Sequence, residues 1–277
     1  MAFADYGTAL VTGASGGIGA AVAERLRQEG LTVHVLARRE APLRELAHRT
    51  GCIPHVVDVA DTEALAQLLR PLEIDVLVNN AGVGHSGTIL TCDQAVVDQE
   101  VDINLRAVLH MVRLAVPGMA ARDRGHVVNI SSIAGIYNFE GNTAYHATKA
   151  AVHALSRQLR VDLFGRRVRV TEICPGRIAT DIFEKANAID SETAQQRFFE
   201  GYEVPTPKDV ADAIAYAIGT PSYVNIGHIE IMPTFQVPGG LNIAKSRAPG
   251  LEREDLPPRR SAAKAAAASA AGTSPMR

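Results

Sequence analysis

The chain has 277 residues, 47% hydrophobic and 21% charged, with 28 Lys/Arg against 30 Asp/Glu. That is enough apolar material for one well-buried domain. The net charge of −2 gives no electrostatic basis for a nucleic-acid or membrane surface, and no apolar run approaches the roughly 20 residues that a bilayer-spanning helix needs. Cys52, Cys92 and Cys174 are odd in number and lack metal-ligand spacing, so reduced thiols and no metal site are expected. The N-terminus runs straight into a strand pattern without a secretory leader, which adds to the expectation of a cytoplasmic protein.

Short β-branched runs alternate with longer amphipathic stretches, the pattern of a parallel sheet covered by helices on both faces. In chain order the expected strands are Ala9–Thr12, Thr32–Leu36, Ile53–Val57, Val76–Val78, His126–Ile130, Arg167–Ile173 and Asn225–Ile231. Between them the apolar periodicity predicts helices over Ile18–Glu29, Leu43–Arg49, Thr62–Leu69, Asp93–Met119, Thr143–Phe164 and Pro207–Ile218. Asp61 and Thr206 supply capping oxygens at two helix starts. Residues 178–203 break the rhythm and read as an inserted lid rich in aromatics, with Phe183, Phe198, Phe199 and Tyr202. Those rings either close over a ligand or pack the lid down, and the packing role is preferred.

Gly13, Gly17 and Gly19 follow the first strand and open the first helix, with Ser15 and Ile18 between them. Glycine there tightens the turn and lets backbone amides approach a pyrophosphate. The spacing is Gly-x-x-x-Gly-x-Gly, and alone it is weak evidence. After the second strand comes Arg38-Arg39, where an NAD site favours an acid. Two guanidiniums suit a 2′-phosphate, which makes NADP(H) the expected cofactor over NAD(H). Asp58-Val59 follows the third strand, where the carboxylate either accepts from an adenine amino group or caps the next helix. Asn79-Asn80-Ala81-Gly82 ends the fourth strand; Asn79 suits a structural role and Gly82 lets backbone lie along a cofactor.

Ser132 lies thirteen residues before Tyr145, and Lys149 follows at i+4, on the same helical face as the tyrosine. A phenol titrates near pH 10. An ammonium about 5 Å away is worth roughly 3 kcal/mol at an effective dielectric near 20, so the pattern predicts a lowered tyrosine pKa. Ser131 competes with Ser132, but adjacent strand residues face opposite ways. Tyr137 has no lysine at i+4. His146 and His153 lack the serine and carboxylate partners of a hydrolase and read as interface or surface residues.

Together the Thr12-Gly13 turn, Asn79–Gly82, Asn104, Ser132, Tyr145-x-x-x-Lys149 and Pro175-Gly176 resemble the short-chain dehydrogenase/reductases, in order, over about residues 6–235. The resemblance implies a Rossmann-type α/β fold, a doubly wound parallel seven-stranded sheet, and an NADP(H)-dependent oxidoreductase acting on CH–OH groups. It implies that Tyr145 is the acid/base, that Lys149 assists it and holds ribose, that Ser132 donates to the substrate oxygen, and that Asn104 binds a relay water. It adds Ile178 and Thr180 to the cofactor contacts beside Pro175 and Gly176, and makes Ser132 the family's serine. Pocket contributors expected on the substrate side are His85, Ile133, Tyr137, Phe139, Arg177, Ile178 and Phe183, with a substrate role for Arg177 set against a preferred outward salt bridge.

The ending, Val224–Thr234 followed by Pro238–Ile243, is similar to the branch of NADP-dependent 3-hydroxy acid and serine dehydrogenases, and partly to clavaldehyde-type reductases. The substrate implied is a small carbonyl or alcohol, a hydroxy acid among the candidates. Helices Asp93–Met119 and Thr143–Phe164 resemble those that join family subunits into a homodimer or homotetramer. Residues 1–244 are expected to form the oxidoreductase domain. Residues 245–277, with seven Lys/Arg, three Asp/Glu and an alanine-rich run, read as a disordered tail. Two rivals stand beside this reading: a cofactor-binding regulator without chemistry, and a lyase or epimerase that uses the nicotinamide transiently.

Overall fold

Seven short strands, the central five buried on both faces and the two edge strands partly exposed, pair side by side in parallel in a computed structural model that describes residues 2–237 and residue 243. They are β1 (Thr8–Thr12), β2 (Thr32–Ala37), β3 (Ile53–Val56), β4 (Val76–Asn79), β5 (Gly125–Ile130), β6 (Val168–Pro175) and β7 (His228–Ile231). Their order across the sheet is β3-β2-β1-β4-β5-β6-β7. The expected strands are all present; the last begins at His228 and not at Asn225, because Asn225 turns its side chain to the backbone of Val170.

Side-chain alternation along the strands divides the core into two layers. Val11, Val33 and Val35 meet Val22 and Leu26 of α1 (Gly17–Gln28), Leu43 of α2 (Glu40–Thr50) and Ile214 of α9 (Pro207–Gly219). On the other face Leu10, Leu36, Leu77 and Val127 meet Leu65 of α3 (Thr62–Leu69), Met111 and Met119 of α5 (Ala107–Ala121) and Leu159 of α6 (Thr143–Asp162). The expected Rossmann-type doubly wound arrangement is the observed one.

Local chemistry sets the helix starts. Asp61 accepts from the Ala64 amide at 3.0 Å, so Asp61, and not Asp58, caps α3. Thr206 and Asp209 form a reciprocal capping box at α9, with Pro207 in its first turn. The expected Asp93–Met119 helix is α4 (Gln94–Val101), a π-helical turn over Asp102–Arg106, and α5. A single extra residue in a helical turn has no compositional signature, so the periodicity reads straight through it. Residues 178–203 hold α7 (Ile182–Asn187), α8 (Ser191–Ala194) and a π-helical turn over Gln195–Phe199. No described helix is long and apolar enough to cross a membrane. Ile243 forms an isolated antiparallel bridge with Gln236; the rest of the expected Pro238–Ile243 ending, the 244 boundary and the 245–277 tail lie outside the described residues.

Arg169 on β6 is buried, yet its guanidinium is fully employed. It donates to the carbonyls of Ala217, Ile218, Thr220 and Val224 and to the Tyr6 hydroxyl. A cation at the carboxyl end of α9 also matches the negative pole of that helix. Arg169→Met leaves several buried carbonyls without donors, and is expected to lower stability by about 3 kcal/mol or more. Chemical denaturation of the two proteins measures it.

Candidate active site

Reversal of the strand order between β1 and β4 opens a crevice at the carboxyl ends of the strands. Thr12 and Asn80 fix its floor. The Thr12 hydroxyl accepts from the amides of Asn80 and Ala81, both at 3.0 Å, and Asn80 Nδ2 donates to the carbonyls of Thr12 and Gly13. Gly13 has φ +68°, and a Cβ there would lie 2.7 Å from the Ala81 Cα. At Gly19 a Cβ would lie 2.5 Å from Asn80 Nδ2 and 2.6 Å from the Gly13 carbonyl. Gly19 is therefore a packing glycine that brings α1 onto the turn, and Ser15 to Ile18 line the cleft, whose volume is about 450 Å³.

Arg38 and Arg39 border the cleft beside this turn. Arg39 Nε donates to Ser15 Oγ at 3.1 Å, and Arg39 Nη2 lies 4.0 Å from Asp181 Oδ2. Arg38 lies 3.6 Å from the Asp58 carboxylate, which also accepts from the Ala60 amide. Asp58 therefore orients an arginine and closes a turn. Val59, Asn80, Ala81 and Gly82 line the cleft floor. Asn79 instead donates to Asn129 at 2.9 Å within the sheet. On the far side Pro175, Gly176, Ile178 and Thr180 complete the wall, and Thr180 faces Gly17 closely enough that a Cβ there would touch it at 3.6 Å.

Tyr145 and Lys149 project from one face of α6 into the same cleft. Lys149 Nζ lies 5.6 Å from the Tyr145 ring centroid and donates to the Ile130 carbonyl at 2.9 Å. Ser132 Oγ accepts from the Ala134 amide at 3.1 Å and donates to the Pro175 carbonyl at 3.5 Å, near enough to the Tyr145 phenol to pull its pKa down. Ser131 donates to the Lys149 carbonyl, which holds the helix to β5. Gly84 packs flat on the Tyr145 ring; a Cβ there would lie 3.5 Å from two ring carbons.

Burial governs the charges. It pushes the Tyr145 phenol up to about 12; Ser132 opposes this, while Glu100 and Cys174 add to it. The expected lowering by Lys149 is not found in this structure; the one downward pull on the phenol comes from Ser132. Burial also brings Lys149 down to about 8, against upward pulls from Cys174, Glu172 and Glu100. Asn104 sits in the π-helical turn, buried, accepting from the Val83 amide and donating to the Val83 carbonyl and to Thr148. Both of its amide hydrogens are used there, and the extra residue of the turn is what aims this side chain at the loop after β4.

The substrate side departs from expectation in three places. Arg177 turns inward, toward the lid rings. It is buried, with its guanidinium 5.4 to 5.8 Å from the ring centroids of Tyr202, Phe183 and Phe198, and it donates to the Phe198 carbonyl. Those aromatics needed a cation beneath them, which sequence position could not reveal. Phe183 borders the cleft and stacks on Phe198 at 4.9 Å, so the lid rings pack on one another. Tyr137 donates to Glu230 at 3.2 Å and does not border the cleft. His85, Ile133 and Phe139 do border it. Glu100 is the residue that sequence reading missed: a buried carboxylate that accepts from the His85 amide at 2.8 Å and lies 3.2 Å from its Nδ1. Burial raises its pKa. Its neighbours Asp98 and Asp102 make the segment read as a solvated acidic face, which hid it.

Comparison with known proteins agrees with this geometry. A family model described as short chain dehydrogenase matches residues 7–190. An uncharacterized short-chain type dehydrogenase/reductase of Sinorhizobium fredii is 38% identical over 241 residues, 87% of this chain and 96% of that protein. The NADP-dependent 3-hydroxy acid dehydrogenase of Escherichia coli K12 is 35% identical over 243 residues, 84% of this chain and 98% of the relative. Among solved structures, the closed form of serine dehydrogenase complexed with NADP+ superposes with a TM-score of 0.81 at 34% identity, covering 86% of this chain and 100% of that one.

The buried lysine yields a stability prediction. Its folded pKa of about 8 lies below the ordinary lysine value of 10.5. The unfolded chain therefore binds more protons between these values, and stability rises with pH through that window. At pH 7 the buried ammonium costs up to about 3 kcal/mol. Lys149→Met is expected to melt higher than the wild type at pH 7, by a margin that shrinks as pH rises from 8 to 10.5. Thermal melts across that range measure it.

Proposed function

This chain belongs to the short-chain dehydrogenase family, and on that premise we propose that it is an NADP(H)-dependent oxidoreductase interconverting a small hydroxy acid and its carbonyl form. The observation that carries the reading is the convergence of Ser132, Tyr145 and Lys149 on one wall of a cleft whose opposite end is a glycine turn flanked by Arg38 and Arg39. The cleft fits a dinucleotide phosphate: Gly13 and Gly19 leave no room for a Cβ, so backbone stands where phosphates need it, and Arg38 and Arg39 offer forks to a 2′-phosphate. Ser15, Gly17 and Ile18 would hold the phosphates, Asn80 to Gly82 the middle of the cofactor, and Pro175 to Thr180 its reactive end. The bound cofactor supplies or accepts a hydride at the substrate carbon.

The protein's own residues handle the proton. Tyr145 is protonated at neutral pH, so in reduction it gives its proton to the carbonyl oxygen. Ser132 donates a hydrogen bond to that oxygen as negative charge grows on it. Lys149, held on the Ile130 carbonyl, offers an ammonium beside the phenol that favours the phenolate left behind. Asn104 fixes Val83 and Thr148 around this pair and would bind the relay water; its position in the π-helical turn supports that role. A silent regulator would not need both Tyr145 and Lys149 in the cleft.

Likeness to the 3-hydroxy acid and serine dehydrogenases supports a small hydroxy acid as substrate. Exposed Leu109 on α5 and exposed Val161 on α6 support assembly through those helices as a homodimer or homotetramer. Three free thiols support a cytoplasmic setting.

Two measurements test the reading. Tyr145→Phe is expected to cut turnover about 10²- to 10⁴-fold while leaving NADPH affinity within about twofold; unchanged turnover would remove Tyr145 from the chemistry. Arg38→Asp is expected to raise the NADPH dissociation constant at least about tenfold, with NADH much less affected. Equal losses for both cofactors would show that Arg38 does not meet the 2′-phosphate.

A further inference from the structure

One turn beyond Lys149 on α6 stands His153, and beneath it three more polar side chains meet where the sheet should be dry. The register of β6 and β7 sets Glu172 directly opposite His228, so both side chains leave the same face. Cys174, two residues along β6, shares that face. His153 Nδ1 lies 2.7 Å from Glu172 Oε2, and His228 Nδ1 lies 3.3 Å from the same oxygen. Cys174 Sγ lies 3.3 Å from Glu172 Oε1 and 3.8 Å from His228 Nδ1. The ligand atoms of His153, Glu172 and His228 all fall within 4.8 Å of one another.

We propose that His153, Glu172, Cys174 and His228 form a site for one divalent transition-metal ion of the zinc class. Tetrahedral zinc with its usual bond lengths sets its ligand atoms about 3.3 to 3.6 Å apart. Of the four separations, three fall within a few tenths of an ångström of that range, with Cys174 set against the other carboxylate oxygen, Oε1, and against His228. The fourth, at His153, opens by a small swing of a side chain that is 28% exposed. Two imidazoles and one thiolate with a single carboxylate suit zinc or cobalt, and are too poor in oxygen for calcium or magnesium. Glu172 and Cys174 are fixed in a fully buried strand, while the His228 side chain, 39% exposed, leaves a path of entry.

Carboxylate and thiolate together balance the ion's two charges; the thiol proton leaves to solvent on binding. With all four positions filled by protein, the ion is structural. It ties α6, the helix that presents Tyr145 and Lys149, to β6 and β7. Sequence spacing did not reveal the site because its ligands stand 19, 2 and 54 residues apart on three elements. The expectation of no metal site rested on cysteine spacing alone, and His153 was read as an interface or surface residue.

The test uses full-length protein stripped with chelator and titrated with cobalt(II) and then zinc(II), under calorimetry, absorption and thermal melting. One equivalent of cobalt is expected to bind with tetrahedral d–d bands and a thiolate charge-transfer band. Zinc is expected to displace it and raise the melting temperature. His228→Ala, at an exposed edge, is expected to weaken zinc binding at least about tenfold, and Cys174→Ser to remove the charge-transfer band. His55→Ala, which breaks a second histidine pair with His34 on the far edge of the sheet, is expected to leave binding unchanged. Absence of saturable binding, or binding untouched by His228→Ala and His153→Ala, would overturn the proposal. So would loss of binding in His55→Ala.

Discussion

Everything in the cleft depends on how closely two backbones approach at the carboxyl ends of β1 and β4. The Thr12 hydroxyl and the Asn80 amide tie those ends together with four hydrogen bonds. Gly13 and Gly19 are the positions at which that approach leaves no space for a side chain. With the strand ends so fixed, the amino end of α1 points into the crevice and its free amides have a direction. Each other element of the site is measured from this junction: Arg39 through Ser15, Thr180 through Gly17, and Tyr145 through Gly84, which follows Asn80 by four residues.

The second organising constraint is burial of the chemical wall. A phenol pushed up to about 12 and an ammonium brought down to about 8 are both in their less charged direction, as burial dictates. The phenol keeps its proton in this environment and is ready to give it away. In the proposed mechanism the cleft favours the phenolate only while charge is developing, with Ser132 and Lys149 giving that help locally. Glu100, buried against His85, adds a raised carboxyl to the same neighbourhood. On the proposed mechanism stability and chemistry pull apart here, because a buried lysine placed to serve the reaction costs the fold free energy.

Much of this was readable from residues. Strand existence followed from β-branched runs and glycine punctuation, and the position of the glycine turn and its two arginines on the cleft from Gly13, Gly17, Gly19, Arg38 and Arg39. Tyr145 and Lys149 were legible because i and i+4 share a helix face. What escaped needed knowledge of partners distant in sequence. Arg177 read as a solvent-facing cation until the lid rings closed around it. Tyr137 turned to Glu230 through a strand pairing that no local pattern encodes. The π-helical turn at Asn104 and the burial of Glu100 are likewise invisible to periodicity, which sees a polar residue and assigns it to water.

The most direct measurement of the central claim follows the hydride itself. NADPH deuterated at the transferable position would be incubated with the protein and a small 3-oxo acid, and the product analysed by mass spectrometry and NMR. The account predicts one deuterium at the new carbinol carbon, at a single configuration. A product without deuterium at that carbon, formed at an undiminished rate, would contradict hydride transfer in this cleft and with it the roles given to Tyr145, Ser132 and Lys149.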